Sequence, residues 1–309
     1  MSSPSQQAAL SGYLFAIGAT LIWSGNFIIA RGVMEAIPPI SLAFWRWAIA
    51  CSVMLPFALP TLLREWSVVR QNLLYLSSAA LLGVAVFNTL IYFASHTTDA
   101  LNLALIAICS PIFMMVFAHF FLRDLVTKNK VLGIVIVVVG VLVLITRGHP
   151  EMLMHVAFTS GDIWMLMAAT CFAVYSILLK KKPEQISQWS FQLSTFVIGL
   201  LMLAPLYVWE LTTKAPIQWD SSLMMSVSYL GVFASFAAYI LWNRAIAAIG
   251  PSKAGMVYYC IPIFSGILGS LYLGEHIESY HLVCGVMIIS GIVIANMKNK
   301  RQLAVSTAS

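Results

Sequence analysis

The chain has 309 residues, of which 61% are hydrophobic and only 9% are charged, with a net charge of +6. A soluble globular domain carries roughly 25% charged residues. The composition therefore excludes a soluble globular protein.

Apolar segments of about 20 residues follow one another along the chain, each long enough to cross a hydrocarbon core of roughly 30 Å as a helix. Ten can be read, at 12–31, 39–60, 72–95, 100–122, 130–146, 161–180, 188–209, 222–244, 252–273 and 279–297. We do not expect the first to be a cleavable signal peptide, because no basic residue precedes it and it is longer than a signal core. The alternating short segments of a membrane barrel are missing. We predict an all-α integral membrane protein with ten transmembrane helices.

The basic residues are distributed unevenly between the two sides of this topology. With the N-terminus in the cytoplasm, only Arg31, Arg147 and Lys214 lie on the outer side, and Arg46 lies inside a span. The other thirteen of the 17 Lys and Arg residues lie on the cytoplasmic side, as the positive-inside rule requires. We expect both termini in the cytoplasm and a multi-pass protein of a bacterial cytoplasmic membrane. Because the membrane topology accounts for the net positive charge, this charge does not indicate nucleic-acid binding. We predict the lipid bilayer as a partner and no nucleic acid.

The two halves of the chain repeat each other. The segment CSPIF at 109–113 returns as CIPIF at 260–264, an offset of 151, and Pro56 returns as Pro205, an offset of 149. The repeats span 12–146 and 161–297, with five helices each. Because five is odd, the second unit crosses the membrane in the opposite orientation. Such inverted repeats are typical of transporters, whose site lies at the repeat interface near the membrane midplane.

Several short motifs resemble those of a known family. They are W-S-G-N-F at 23–27, Arg46, N-T-L-I-Y at 88–92, Pro111 and Pro262, L-R-D at 122–124 with L-G-E at 273–275, and Y-I-L-W-N-R-A at 239–245. Their order along the chain and their repetition in the two halves resemble the pattern of the drug/metabolite transporter superfamily and, within it, of the EamA group of small-metabolite exporters. The resemblance implies ten helices, a central cavity between the halves and export of small solutes, with amino acids and related metabolites leading. Hydrophobic drugs or organic cations are the alternative cargo.

Arg46 is a charged side chain inside an apolar span, about 10 Å below the outer end at 1.5 Å per residue. A charge near the membrane centre costs at least about 2.5 kcal/mol on insertion scales. Three interpretations compete: a tie to helix-end carbonyls, a cavity residue that attracts a carboxylate, and a side chain that snorkels outward. The repeat-equivalent residue is Thr195. A charge present in only one half suits a cargo site, whereas the family resemblance, in which an Arg at this place is typical of members with different cargoes, implies a role in the fold or the gate.

Other polar and aromatic residues lie deep in the spans expected to line the cavity. The candidates for substrate contact are Trp23, Asn26, Asn88, Tyr92, Tyr175, Tyr239, Trp242 and Tyr258. Asn26 is equivalent to Tyr175, and Asn88 to Tyr239. Interhelical hydrogen bonding and interfacial anchoring are the competing explanations.

Two prolines occupy equivalent places in the fourth and ninth spans. Pro111 and Pro262 should each kink a helix and are candidate hinges; a static bend is the alternative. Gly133 and Gly140 are expected to permit close helix contact, as are Gly266 and Ser270.

The sequence lacks the residues that proton coupling through a buried carboxylate, ATP binding or enzymatic catalysis would require. No acidic residue lies in the middle of a predicted span, so a buried carboxylate is not expected to couple transport to protons. No phosphate-binding loop of the G-x-x-x-x-G-K-[ST] type occurs, and no nucleophile, metal or carboxylate pair suggests an enzyme. The five cysteines all lie in spans without metal-ligand spacing. We predict a secondary transporter that is not an enzyme and carries no metal or cofactor. A passive channel, an intramembrane enzyme and a receptor or scaffold are the rival classes, and a homodimer is left open.

Overall fold

The computed structural model describes residues 4–33, 35–98, 100–156, 159–273 and 279–297. The first half contains α1 (Pro4–Val33), α2 (Pro39–Arg64), α3 (Trp66–Gln71), α4 (Leu73–Ala80), the π-helical segment π1 (Leu81–Val86), α5 (Phe87–Thr97), α6 (Ala100–Ala107), α7 (Cys109–Leu122) and α8 (Lys128–Ile145). A 3-10 turn at Pro150–His155 follows. The second half contains α9 (Ser160–Lys180), α10 (Gln188–Thr213), α11 (Ser221–Tyr229), π2 (Leu230–Ala237), α12 (Ala238–Tyr258), α13 (Ile261–Leu273) and α14 (Ser279–Asn296). The predicted all-helical fold class is confirmed.

Within the described ranges, nine helical stretches are long and apolar enough to cross a membrane. One of them, Ser221–Tyr258, runs through the predicted eighth span into the ninth. Gly250 interrupts it with a φ of +78°, a conformation that glycine adopts readily because it has no Cβ. The rest of the ninth span is α13. The count of ten spans stays a prediction.

The two membrane faces can be told apart by the contacts between helix ends. Tyr13 near the start of α1 donates a hydrogen bond to Asn296 Oδ1 at the end of α14, at 2.7 Å. We call this the terminal face and the opposite one the far face. Helices of the two halves interleave between the faces, since α1 packs against α12, α2 against α10 and α5 against α9. The principal core therefore lies between the repeats.

The pair α8 and α14 packs through small residues. A Cβ added to Gly133 would lie 2.4 Å from the Gly291 carbonyl oxygen, and one added to Gly140 would lie 2.9 Å from Met287 Cβ. Both contacts agree with the predicted role of Gly133 and Gly140. Gly266 is different, because its nearest neighbour would lie at an ordinary 3.6 Å.

We expect Gly133→Ala to lower stability by about 1–3 kcal/mol, because the added methyl group must displace backbone atoms of α14. Thermal unfolding in detergent would measure the loss. Gly285→Ala is the matched control, since Gly285 lies in α14 with nothing within 4 Å of its added Cβ. Equal melting temperatures for the two variants would contradict close packing of this helix pair.

Two carboxylates join α2 and α10 at opposite faces. On the far face, Glu210 of α10 accepts hydrogen bonds from Ser41 N at 2.6 Å, Ser41 Oγ at 2.7 Å and Ile40 N at 3.3 Å. On the terminal face, Glu65 after α2 accepts from Ser187 N at 2.9 Å. Each carboxylate thus satisfies free N–H groups at the start of the other half's helix, where the helix dipole also favours negative charge. We call these contacts the far-face clamp and the terminal-face clamp.

Glu210 is buried, although the sequence analysis places it just outside a predicted span. The predicted span ended at residue 209, but α10 continues to Thr213 and leaves Glu210 only 2% exposed. Asp162 is also buried, at 4%, where it accepts hydrogen bonds from Thr98 Oγ1 and Thr159 N at the start of α9. Both residues lie near the ends of their helices, as the sequence places them, and both are nevertheless buried. Composition could not show this, because the N–H groups that accommodate a carboxylate come from distant helices.

The pKa of Glu65 is lowered. Partial burial raises it, but the N–H of Ser187, the hydroxyls of Ser190 and Ser187 and the charge of Lys182 together outweigh burial. A carboxyl whose pKa is lower in the folded state stabilises the fold above the unfolded pKa of 4.5, and this contribution is lost as the pH falls through the folded pKa.

We therefore expect wild type to be more stable than Glu65→Gln at pH 7, and the difference to shrink as the pH falls below about 4.5. Thermal unfolding over a pH series would measure it. Glu184→Gln is the control, because Glu184 is exposed in the loop that precedes α10, and this variant should change the stability little. A difference that stays constant with pH would argue against the terminal-face clamp.

Candidate functional site

Repeat-equivalent residues contact each other between the two halves. The rings of Trp23 and Phe172 meet edge to face with centroids 5.6 Å apart. Asn88 Nδ2 donates to the hydroxyl of its equivalent, Tyr239, at 3.1 Å. Contacts between equivalent residues mark a pseudo-two-fold axis, and the candidate residues of both halves converge on it.

Five aromatic rings pack around this axis, and we call them the aromatic layer. Its members are Trp23, Phe172, Tyr239, Trp242 and Tyr258, all at most 8% exposed. Trp23 lies 5.8 Å from Tyr239, 5.3 Å from Trp242 and 6.1 Å from Tyr258, measured between ring centroids. Such edge and tilted contacts are each worth about 0.5–1.5 kcal/mol beyond area burial. Packed rings therefore occupy the axis between the two halves.

Arg46 lies on the far-face side of the aromatic layer and is 1% exposed. Its guanidinium donates to Ser235 Oγ at 2.5 Å, to Tyr92 OH at 2.7 Å and to the Ala234 carbonyl at 3.2 Å. Its Cζ also lies 5.5 Å from the centroid of the Trp47 ring. The side chain points into the bundle, which leaves the helix tie and the cargo contact as interpretations. We call Arg46, Tyr92 and Ser235 the far-side cluster.

All hydrogen-bond acceptors of Arg46 are neutral. Within the described part of the chain, the ion pairs are Lys130 with Asp124 and His149 with Glu151, and no carboxylate pairs with Arg46. A buried charge is costly unless it is paired and hydrogen-bonded. Among the described residues, the guanidinium of Arg46 is therefore hydrogen-bonded but not paired with a carboxylate.

The two π-helical segments, π1 and π2, occupy equivalent positions in the third and eighth spans, and sequence analysis missed both. Gly83 in π1 is equivalent to Ala234 in π2, and each carbonyl accepts a hydrogen bond from the other half. Tyr239 OH donates to Gly83 O at 2.7 Å, and Trp23 Nε1 donates to Ala234 O at 2.9 Å. Segments of this kind are frequent at functional sites. Gly83 was the available signal, since a Cβ there would lie 2.5 Å from the Tyr175 ring.

A second polar cluster lies on the terminal-face side of the aromatic layer. Tyr175 OH donates to Asn243 Oδ1 at 3.2 Å, and Asn243 Nδ2 donates to Gln192 Oε1 at 2.5 Å. We call these three residues the terminal-side cluster. Sequence reasoning found Tyr175 but missed Asn243 and Gln192. Asn243 could have been found, because it is the repeat equivalent of Tyr92.

Asn26 belongs to neither cluster. It follows Trp23 by three residues, which places it one turn toward the far face on the same side of α1. It is half-buried, and its buried Oδ1 has no hydrogen-bond partner among the described residues. An acceptor is thus free beside the aromatic layer.

Each proline lies in the first turn of the second of two consecutive helices in its span. Pro111 is the third residue of α7, after the break at Ile108, and Pro262 is the second residue of α13, after Tyr259 and Cys260. Proline is tolerated in a first turn because its missing N–H would be unpaired there. Tyr259 OH donates to the Ile108 carbonyl at 3.0 Å and so joins the two breaks. Paired breaks are observed; a hinge role stays a prediction.

Comparison with known proteins agrees with this doubled architecture. The model of the EamA-like transporter family matches residues 10–146 and, a second time, residues 159–297. The chain belongs to the EamA-like transporter family. As an EamA-like transporter it is an integral, multi-pass membrane protein.

The relatives of this EamA-like transporter match it over nearly their whole length. The protein named uncharacterized transporter YyaM of Bacillus subtilis (strain 168) is 27% identical, over 93% of this chain and 94% of the relative. An uncharacterized transporter of Archaeoglobus fulgidus is 23% identical, over 90% and 94%. A crystal structure with 18% identity superposes with a TM-score of 0.76, over 94% of this chain and 98% of the other, and shows the same fold.

Proposed function

We propose that this EamA-like transporter exports small metabolites such as amino acids by alternating access, without ATP. The units 12–146 and 161–297 rock against each other about the pseudo-two-fold axis. Cargo binds between them, with its carboxylate at Arg46 and the rest of the molecule at the aromatic layer. We place the protein in a bacterial cytoplasmic membrane with both termini in the cytoplasm.

The observation that carries this proposal is the buried guanidinium of Arg46, whose acceptors are all neutral. A carboxylate in that place would form a charge-assisted, bidentate pair of the kind arginine favours. Asn26 Oδ1, which has no hydrogen-bond partner among the described residues and lies one turn from Trp23, supplies an acceptor for the ammonium group of an amino acid. Asn88 and Tyr239 then close the site across the axis.

The two clamps support alternating access. Opening to the far face breaks the Glu210 contacts, whereas opening to the terminal face breaks the Glu65 contact. Each face thus has its own contact between the halves. A passive channel needs no such pair, because both of its faces open together.

Organic cations are the second candidate cargo, and the aromatic layer favours them. Ring faces attract cations by about 0.5–2 kcal/mol, depending on desolvation. Arg46 opposes them by charge repulsion, since it lies in the cluster next to these rings. For this reason we prefer a carboxylate-bearing cargo.

Counterflow in proteoliposomes tests the proposal. Vesicles loaded with unlabelled solute are diluted into radiolabelled amino acids, carboxylates and organic cations, each in turn. We expect transient accumulation of amino acids with no ATP present. Accumulation of organic cations alone would favour the second candidate, and flux that does not saturate would favour a channel. If none of the tested solutes accumulates, the proposed cargo classes are contradicted.

A further inference from the structure

Gln192 carries an unused hydrogen-bond donor in the interior of the bundle. The side chain is 0% exposed. Its Oε1 accepts from Asn243 Nδ2 and from Gln188 Nε2, at 2.5 and 3.3 Å. Its Nε2 has no partner among the described residues. A buried donor left unpaired costs about 1–3 kcal/mol, so such a group calls for an explanation.

Exchanging the oxygen and nitrogen of this amide does not remove the problem. The assignment rests on the hydrogen-bond network, and two donors already point at the oxygen. In the exchanged orientation the carbonyl would be left without a donor, and the amides of Asn243 and Gln188 would both have to turn. One end of the Gln192 amide stays unpaired either way, and the network favours Nε2.

The repeat gives Gln192 a place comparable to that of Arg46. Asn243, which holds Gln192, is the repeat equivalent of Tyr92, which holds Arg46. In both halves, therefore, equivalent residues of the third and eighth spans hydrogen-bond to a polar side chain on the second helix of their own half: Tyr92 accepts from Arg46, and Asn243 donates to Gln192 Oε1. Thr195, the equivalent of Arg46, lies one turn from Gln192.

The two donors lie on opposite sides of the aromatic layer. Arg46 lies seven residues into α2 from the far face, about 10 Å at 1.5 Å per residue, and Gln192 lies four residues into α10 from the terminal face, about 6 Å. Separation of the rings toward either face would uncover the donor of that side first.

We propose that Gln192 is a second cargo contact, which binds a carboxylate oxygen through Nε2 when the protein is open to the terminal face. Arg46 binds the same group on the far side of the aromatic layer. The inference rests on the proposed function. A neutral amide binds a carboxylate less tightly than a guanidinium does, so the terminal-face contact is the weaker of the two.

The test compares half-saturation concentrations at the two faces, in right-side-out and inverted membrane vesicles, with radiolabelled serine and phenylalanine. Gln192→Glu keeps the oxygen that Asn243 needs and replaces the free N–H₂ by a second oxygen that repels a carboxylate. We expect it to raise the half-saturation concentration at the terminal face about tenfold or more and to leave the far face unchanged. Gln192→Leu should act in the same direction, about three- to tenfold.

Gln188→Leu is the matched control. It removes the other amide that donates to Gln192 Oε1 and leaves Nε2 in place, so both faces should resemble wild type. If wild type transports these amino acids and the Gln192 variants have the same half-saturation concentrations as wild type, this inference is overturned and the proposed function is unaffected. Equal effects at both faces, equal effects of Gln188→Leu and Gln192→Leu, or failure of both Gln192 variants to fold would assign the residue to packing and overturn it. If the wild-type protein transports neither serine nor phenylalanine, the proposed function itself is overturned.

Discussion

Replacing Arg46 by glutamine is expected to reduce exchange of amino acids at least about 100-fold, equivalent to about 2.7 kcal/mol of lost binding. Glutamine can still reach a neutral partner such as Tyr92 OH, but it removes the only charge in the far-side cluster. Truncating one member of a buried charge pair costs about 2–5 kcal/mol, which sets this scale. Counterflow at several substrate concentrations would measure the loss.

Two further variants distinguish a role of Arg46 in cargo binding from a structural role between helices. Arg46→Lys keeps the charge but loses the forked geometry, so we expect an intermediate loss of about tenfold. Arg244→Gln is the control, because Arg244 is exposed and its guanidinium lies 5.7 Å from the Phe15 ring, away from the axis. A folded Arg46→Gln protein that exchanges amino acids like wild type would make Arg46 a helix tie.

Replacing Glu210 by alanine is expected to lower the free energy of unfolding by about 2–3 kcal/mol, the largest stability effect that we predict for a single polar residue here. The carboxylate is 2% exposed and accepts three hydrogen bonds from the first residues of α2. Hydrogen bonds to charged groups contribute about 1.5–3 kcal/mol, and helix N-caps about 0.5–2 kcal/mol. Thermal unfolding of the purified protein would measure the change.

A double-mutant cycle assigns this effect to the far-face clamp. Glu210→Ala and Ser41→Ala share one contact, so their effects should not add, with a coupling energy of about 1 kcal/mol or more. Glu151→Gln is the control, since Glu151 is an exposed residue on a 3-10 turn and should couple to neither. Strict additivity of the Glu210 and Ser41 variants would mean that the clamp does not hold the halves together.

Fold class and doubling could be predicted from sequence because both depend on local composition. An apolar run of the length of a bilayer must be helical, since lipid offers the backbone no hydrogen-bond partner. The repeat was visible in paired segments such as CSPIF and CIPIF. Span boundaries were less certain, because Gly250 and the π-helical segments depend on neighbouring helices rather than on hydropathy.

The site was predicted in part. Polarity deep in an apolar span marked Arg46, Asn88 and Tyr175, and these residues do lie near the axis. Gln192 was missed because it lies close to a span end, where polar residues are common and carry no signal. Glu210 was missed for the same reason.

Sequence alone thus determined a membrane-spanning, all-helical chain made of two related halves, because hydropathy and repetition are properties of each segment by itself. Only the tertiary structure decided which polar groups are paired, which rings meet on the axis, and which carboxylates cap the partner half. Those outcomes depend on contacts between residues far apart in the sequence, such as Trp23 with Ala234, which are 211 positions apart. Burial and hydrogen-bond satisfaction are fixed only when such distant helices pack together.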